Sequence, residues 1–148
     1  MKIFLSTSFS GKVNQATGEV EPEHRTFITK ILEGLREEGD EIFCAVEHEG
    51  WKVSDAPPEI GVQKDLHEID NADVLLALVP EQLSAGVQFE IGYAVGKGKR
   101  VVLARRASDP LAYFNQGVVS SGLVALVAYD HIDELFTQLS LALNSPQD

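Results

Sequence analysis

The sequence predicts an α/β fold: an open, parallel five-stranded sheet with helices on both faces, Rossmann-like or flavodoxin-like in class. Three observations carry that expectation. Short apolar runs alternate along the chain with segments of helical periodicity, the order that builds parallel strands joined by right-handed crossovers. The run Val74–Val79 is apolar without a break, as expected of a strand covered on both faces. Glycine and proline punctuate the junctions, at Pro22, Gly39, Gly50, Pro57 and Pro58.

Each element follows in order. Lys2–Leu5 reads as the first strand, followed by a polar loop from Ser6 to about Glu21. Pro22 opens a helix whose apolar residues Phe27, Ile28, Ile31, Leu32 and Leu35 share one face, and Gly39 ends it. Glu41–Val46 reads as the second strand, and a loop through Trp51 leads to a helix over about Glu59–Asn71, with Val62, Leu66 and Ile69 inward. After the third strand, Ser84 is placed to cap a helix over about Ala85–Gly96. Lys99–Ala104 and Leu123–Tyr129 are the fourth and fifth strands, and Asp130 is expected to cap a terminal helix.

The chain of 148 residues suits a single domain, expected over 1–144, with 145–148 as a loose tail. A chain this long buries enough surface to hold a core without staples. Apolar residues make up 44% and charged residues 24%, which argues against disorder. One cysteine excludes an internal disulfide framework and any multi-cysteine zinc site. The net charge of -11 opposes binding to a nucleic acid polymer or an anionic membrane. No apolar run approaches the roughly 20 residues of a membrane span. The apolar stretch after Met1-Lys2 is too short for a secretory leader, so a cytoplasmic location is expected.

Ligands of open parallel sheets bind at the carboxyl ends of the strands. Four segments are expected there: Ser6–Gly11, Glu47–Pro58, Pro80–Glu90 and Arg105 to about Gly122. Glu90 falls about 60° from Val87 on a helical wheel, at the edge of the apolar face. Asp65, three residues after Val62 and four before Ile69, repeats that placement in the preceding helix. Two carboxylates meeting across one crevice suit cleavage of a glycosidic bond. Ser6, Thr7 and Ser8 begin a hydroxyl-rich loop able to receive a phosphate, though it matches no phosphate-loop motif.

Other polar residues read as structural. Asp73 should sit at the opposite end of the sheet, and Asp70 is set aside with it. Cys44 reads as core, Trp51 as a cap on the core, and Glu47-His48-Glu49 as a solvated loop. The four histidines show no metal-ligand spacing, so neither a metal nor a cofactor is expected.

Three stretches carry a resemblance. They are Asp65 through Val79, with Ala72-Asp73 before the apolar strand; Ser84 through Ala94, containing Gly86-Val87-Gln88-Phe89-Glu90-Ile91-Gly92; and Gly98-Lys99 through Val102. Together they resemble the nucleoside 2-deoxyribosyltransferase family and its 2'-deoxynucleoside 5'-phosphate N-hydrolase branch. The resemblance implies Glu90 as nucleophile on C1' of the sugar and Asp65 as the proton-transfer partner of the leaving base. It implies substrate binding at Ser84 and Gly86, beside which Ser6, Thr7 and Ser8 stand as candidates by their place after the first strand, with a plain solvated loop as the other reading. Transferases of nucleosides carry an aspartate where this chain has Ser84, and the nucleotide hydrolases carry a serine, so Ser84 points to a 5'-phosphorylated substrate.

Two positions depart from the pattern. Ile3 stands where the family has a strand tyrosine. Ala112 stands near the residue that a neighbouring subunit contributes, with Asn115 close enough to substitute. The expected activity is therefore hydrolysis of deoxynucleoside 5'-monophosphates, with base exchange on deoxyribose and a non-catalytic nucleotide-binding module as alternatives. The expected partners are a small nucleotide or nucleoside and other copies of the chain, as a dimer or larger homo-oligomer.

Overall fold

A computed structural model describes residues 1–9, 12–79 and 84–145. The elements in chain order are β1 (Lys2–Ser6), α1 (Pro22–Glu37), β2 (Glu41–Cys44), α2 (Ala45–His48), α3 (Pro58–Asn71), β3 (Val74–Leu78), α4 (Ala85–Gly96), β4 (Arg100–Arg106), α5 (Tyr113–Ser120), β5 (Ala125–Tyr129) and α6 (Ile132–Asn144). The five strands form one parallel sheet in the order β2-β1-β3-β4-β5. This is the doubly wound, flavodoxin-like arrangement that the strand–helix alternation predicts.

The two faces of β3 explain its uninterrupted apolar sequence. Val74, Leu76 and Leu78 join Ile3 and Leu5 in a core beneath Ile28, Ile31, Leu32 and Leu35 of α1 and Leu135 and Leu139 of α6. Leu75 and Ala77 turn the other way, with Phe4, against Ile69 of α3 and Val87, Ile91 and Ala94 of α4. With apolar cover on both faces, no position of β3 is left for a polar side chain. Connections from β1 run to β2 on one side and, after α3, to β3 on the other. The crevice at this reversal, beyond the carboxyl ends of β1 and β3, is where such sheets bind ligands.

Several boundaries differ from the sequence expectation. The second strand stops at Cys44, whose neighbour Leu5 is its last sheet partner, and Ala45–His48 turn into a short helix. Val46 is buried in that turn, so its hydrophobicity is satisfied without a strand. A bidentate pair from Arg36 to Glu47, at 2.9 and 2.6 Å, ties the turn to α1. Helix α5 was not expected. It has no side-chain cap, carries Gly117 in its middle and buries only Asn115, so the apolar periodicity that marks a helix is missing.

The fourth strand extends to Arg106, and the fifth begins at Ala125, with Leu123 exposed. His131 rather than Asp130 caps α6. Glu134 completes a capping box, accepting from the backbone N–H groups of Asp130 at 2.8 Å and His131 at 3.3 Å. Val62, expected inward, is exposed, which leaves Ile69 as the buried anchor of α3. The expected tail overlaps residues 146–148, which lie outside the described residues, as do Ser10 and Gly11 of the hydroxyl-rich loop and residues 80–83.

Candidate active site

The loops at the carboxyl ends of β1, β2 and β3 enclose a cleft of about 180 Å³ lined by Ser6, Thr7, Glu49, Asp65, Ser84, Gly86 and Glu90, over a floor that includes Phe4, Leu5 and Val87. Six of the eight site residues expected from the sequence are thus brought together from three elements and a loop. Ser8 instead faces a neighbouring cavity of about 260 Å³, with Thr7 on the wall between the two. Asn115 is buried on α5, where its Oδ1 accepts from Gln88 Nε2 at 3.3 Å. It does not reach the cleft of its own chain.

Glu90 projects from the second turn of α4, on the flank of the residues Val87, Ile91 and Ala94 that seat the helix on the sheet. Its Oε2 accepts a short hydrogen bond from Ser6 Oγ at the end of β1. Burial pushes its pKa up from 4.5 to about 7; the Ser6 hydrogen bond opposes that rise and the charge of Asp65 adds to it. Asp65 is raised from 3.8 to about 6, by burial first and then by the charge of Glu49. These are two half-buried carboxylates in one cleft, both raised towards neutrality, the environment that prepares acid, base or nucleophile chemistry.

Ser6 also revises the reading of the first strand. Ile3, at the family's tyrosine position, is buried in the core on the α1 and α6 side and does not face the cleft. The strand hydroxyl beside Glu90 comes three residues later, from Ser6.

Ser84 is the N-cap of α4, as expected, and its hydroxyl accepts from the Val87 N–H at 3.3 Å. A helix start of this kind presents unpaired N–H groups and the positive end of the helix dipole, which favour an anion. At Gly86 a Cβ would meet nothing closer than Ser84 Oγ at 3.9 Å, so the missing side chain leaves open space beside the cap rather than relieving a clash.

Glu49 lines the cleft, where the sequence predicts only a solvated loop over Glu47-His48-Glu49. The only available signal was position, since any residue just after the second strand falls at the ligand end of the sheet. Glu47 is engaged with Arg36, His48 packs against Phe43 with ring centroids 5.4 Å apart, and Glu49 lines the cleft. The segment is held by Trp51. Its backbone stands in the left-handed region (φ 64°), its N–H donates to Val46 O at 2.9 Å, and its carbonyl accepts from Val20 at 2.8 Å. The Trp51 ring packs on the core beneath the Arg25 guanidinium, at 5.2 Å, in the capping role expected of it.

The residues set aside are structural. Asp73 Oδ2 accepts from the Lys2 N–H at 2.7 Å, at the far end of the sheet, and Asp70 pairs with Lys97 and Tyr93. Cys44 is buried, and desolvation pushes its thiol up to about 11. Among the described residues no group of three His, Cys, Asp or Glu side chains is placed to hold a metal ion. None of the helices of the described residues is long and apolar enough to cross a membrane.

A Rossmann-type crevice with paired carboxylates and a helix start defines a class of nucleotide-handling α/β enzymes. The chain belongs to the nucleoside 2-deoxyribosyltransferase family, whose model matches residues 16–137. Among solved structures it is similar to BlsM, with a TM-score of 0.79 and 26% identity over 98% of this chain and 94% of that one. It is also similar to the CMP N-glycosidase BcmB of Clostridium botulinum, with a TM-score of 0.70 and 20% identity over 96% and 99% of the two chains. The 2-deoxyribosyltransferase of Bacillus psychrosaccharolyticus superposes with a TM-score of 0.66 at 20% identity, over 91% and 90%. No curated protein matches the sequence.

Proposed function

We propose that the protein cleaves the N-glycosidic bond of 2'-deoxynucleoside 5'-monophosphates, or a close nucleotide, and passes the sugar to water. The observation that carries this reading is the Glu90–Asp65 pair, two raised carboxylates in one cleft beside the capped start of α4. Ionised Glu90 attacks C1', forming a C1'–O ester while the C1'–N bond breaks and its electron pair passes to the base. Protonated Asp65 donates to the departing base, because a neutral base leaves more readily than an anion. Water then attacks C1', gives its proton to the Asp65 carboxylate and releases the sugar phosphate with Glu90 regenerated. Ser6 orients the nucleophile, and Ser84 with the N–H groups of α4 receives the 5'-phosphate. The cycle calls for no cofactor.

The chain acts, in this reading, as a cytoplasmic single-domain enzyme over residues 1–144 that self-associates. Helix α5 leaves Tyr113 91% and Phe114 72% exposed, with Leu123 after it and Phe89 on α4 also exposed. Aromatic side chains in such numbers on one pair of helices suit a buried interface. The occupant is a second copy seated on these aromatics; Asn115 on the same helix is buried and bonded to Gln88, so it lies beneath that surface rather than on it.

One panel tests the activity. The protein is incubated with dAMP, dGMP, dCMP, dTMP and CMP, each with and without a free acceptor base, and the products are separated by chromatography. Release of sugar phosphate without acceptor is expected, whereas products that appear only with acceptor would make the protein a transferase. Glu90→Ala should lower the rate by several orders of magnitude, more than the roughly 10²–10⁴ of acid–base assistance. A slow 2-fluoro substrate should leave its sugar on Glu90, and an adduct elsewhere would end the assignment.

A further inference from the structure

The cleft does not end at Asp65. Its volume of about 180 Å³ lies below the roughly 300–1,000 Å³ of sites that enclose a small organic ligand, so a substrate reacting at Glu90 must extend beyond it. It opens past Phe9 and Glu49 into a groove of about 330 Å³ walled by Val53, Pro57, Pro58 and Gly61. These apolar walls suit the faces of a planar ring. Among the described residues Glu49 is the one charged residue lining the groove, and it lines the cleft as well.

Three features mark this carboxylate as aimed at a ligand. Its backbone is fixed by its N–H donating to Ala45 O at 2.9 Å, and its carboxylate stands across the groove from α3, Oε1 lying 3.8 Å from where a Cβ on Gly61 would be. It is half-buried, and desolvation raises its pKa. Among the described residues no group donates a hydrogen bond to its side chain; the charge of neighbouring His48 partly offsets the effect of burial, and the Arg and Lys groups nearby are paired with other carboxylates. Arg36 is paired with Glu47, and Lys64 with Glu68 at 2.6 Å. A partly desolvated acceptor without a donor is costly, and a ligand N–H relieves that cost.

Resting on the proposed N-glycosidase reading, we infer that Glu49 reads the outer edge of the nucleobase and selects bases that carry an exocyclic amino group. With C1' at Glu90 and the base within reach of Asp65, the outer edge of the base enters the groove mouth where Glu49 stands. Cytosine and adenine present an amino N–H there, which donates to the carboxylate. Uracil, thymine and hypoxanthine present a carbonyl oxygen at the same position, which sets lone pairs against a negative charge.

The test uses two pairs of substrates that differ by amino against oxo at one ring carbon: dCMP with dUMP, and dAMP with dIMP. Wild-type protein should favour the amino member of each pair it turns over by roughly 10–100-fold in kcat/KM, the value of one hydrogen bond to a charged group. Glu49→Leu should erase that ratio, the amino substrate losing roughly 10–100-fold more than the oxo substrate, while the loss of the charge beside Asp65 acts on both alike. Glu49→Gln keeps the shape and adds a donor, and should erase the ratio from the other side by raising the oxo substrate. Equal turnover of both members by the wild type, an oxo preference, or a uniform loss across both in each variant would overturn the role of Glu49. Turnover of neither pair, with no cleavage of any nucleotide in the wider panel, would instead refute the glycosidase reading itself.

Discussion

Glu90→Gln should make the protein more stable at alkaline pH and leave it nearly unchanged in acid. The side chain keeps its size, and the Ser6 hydroxyl still finds a carbonyl oxygen, so what the substitution removes is the buried charge. The carboxyl titrates at about 7 in the folded chain against an ordinary 4.5. Between those values the native state binds more protons than the unfolded one. The stabilisation is therefore complete below pH 4.5 and is lost as pH rises through 7. At 1.36 kcal/mol per pH unit the full loss is about 3 kcal/mol, and about 2.5 kcal/mol of it falls between pH 5 and pH 8. The glutamine variant has no such loss. Its advantage over wild type should grow by about 2.5 kcal/mol across that interval, or roughly 5–10 °C in Tm for a chain of this size. Urea and thermal melts of both proteins in half-unit pH steps measure it, starting at pH 5 because the sequence pI of about 4.7 promotes precipitation below that. A stability difference that stays constant with pH would mean that Glu90 is solvated and ionises freely, and the case for a prepared nucleophile would fall with it.

Three further outcomes follow from the same geometry. With Glu90 at about 7 and Asp65 at about 6, kcat/KM should be bell-shaped with its maximum between those values; Asp65→Asn should remove the alkaline limb and cost roughly 10²–10⁴ in rate on a natural nucleotide while barely slowing one with an activated leaving base, and a persisting alkaline limb would move the acid elsewhere. Ser84→Asp sets a charge at the proposed 5'-phosphate site and should lower kcat/KM for deoxynucleotides by about 10-fold or more while sparing unphosphorylated deoxynucleosides, whereas equal losses would leave Ser84 as a helix cap alone. Phe114→Glu should convert the self-associated protein to monomer in sedimentation velocity, and a wild type that already sediments as a monomer would remove α5 as an interface.

The sequence by itself determined the sheet and singled out two carboxylates that the fold brings to one cleft. Val74–Val79 announces a strand buried on both faces, and the apolar spacing of α1 and α4 places each helix against it, because periodicity is a local signal written in neighbouring residues. The helix-edge positions of Asp65 and Glu90, once attached to the carboxyl ends of parallel strands, already point them towards one crevice. Helix α5 escaped this reading because it buries one polar residue and exposes its aromatics, so no inward apolar stripe exists to be read. The second strand was drawn too long because Val46 is equally well buried in a strand or in a turn of helix.

Tertiary structure decided the rest, where a property depends on groups distant in the chain. Ser6 and Glu90 stand 84 residues apart, and only the packing of α4 beside β1 makes one the hydrogen-bond donor of the other. The raised pKa values come from burial and from neighbouring charge, Asp65 acting on Glu90 and Glu49 on Asp65, neither of which is a property of local sequence. Glu47 and Glu49 have the same side chain two positions apart. The fold sends one to Arg36 on the outside of α1 and the other into the cleft, because a single turn of helix after Cys44 rotates their directions, and no composition or spacing distinguishes them beforehand.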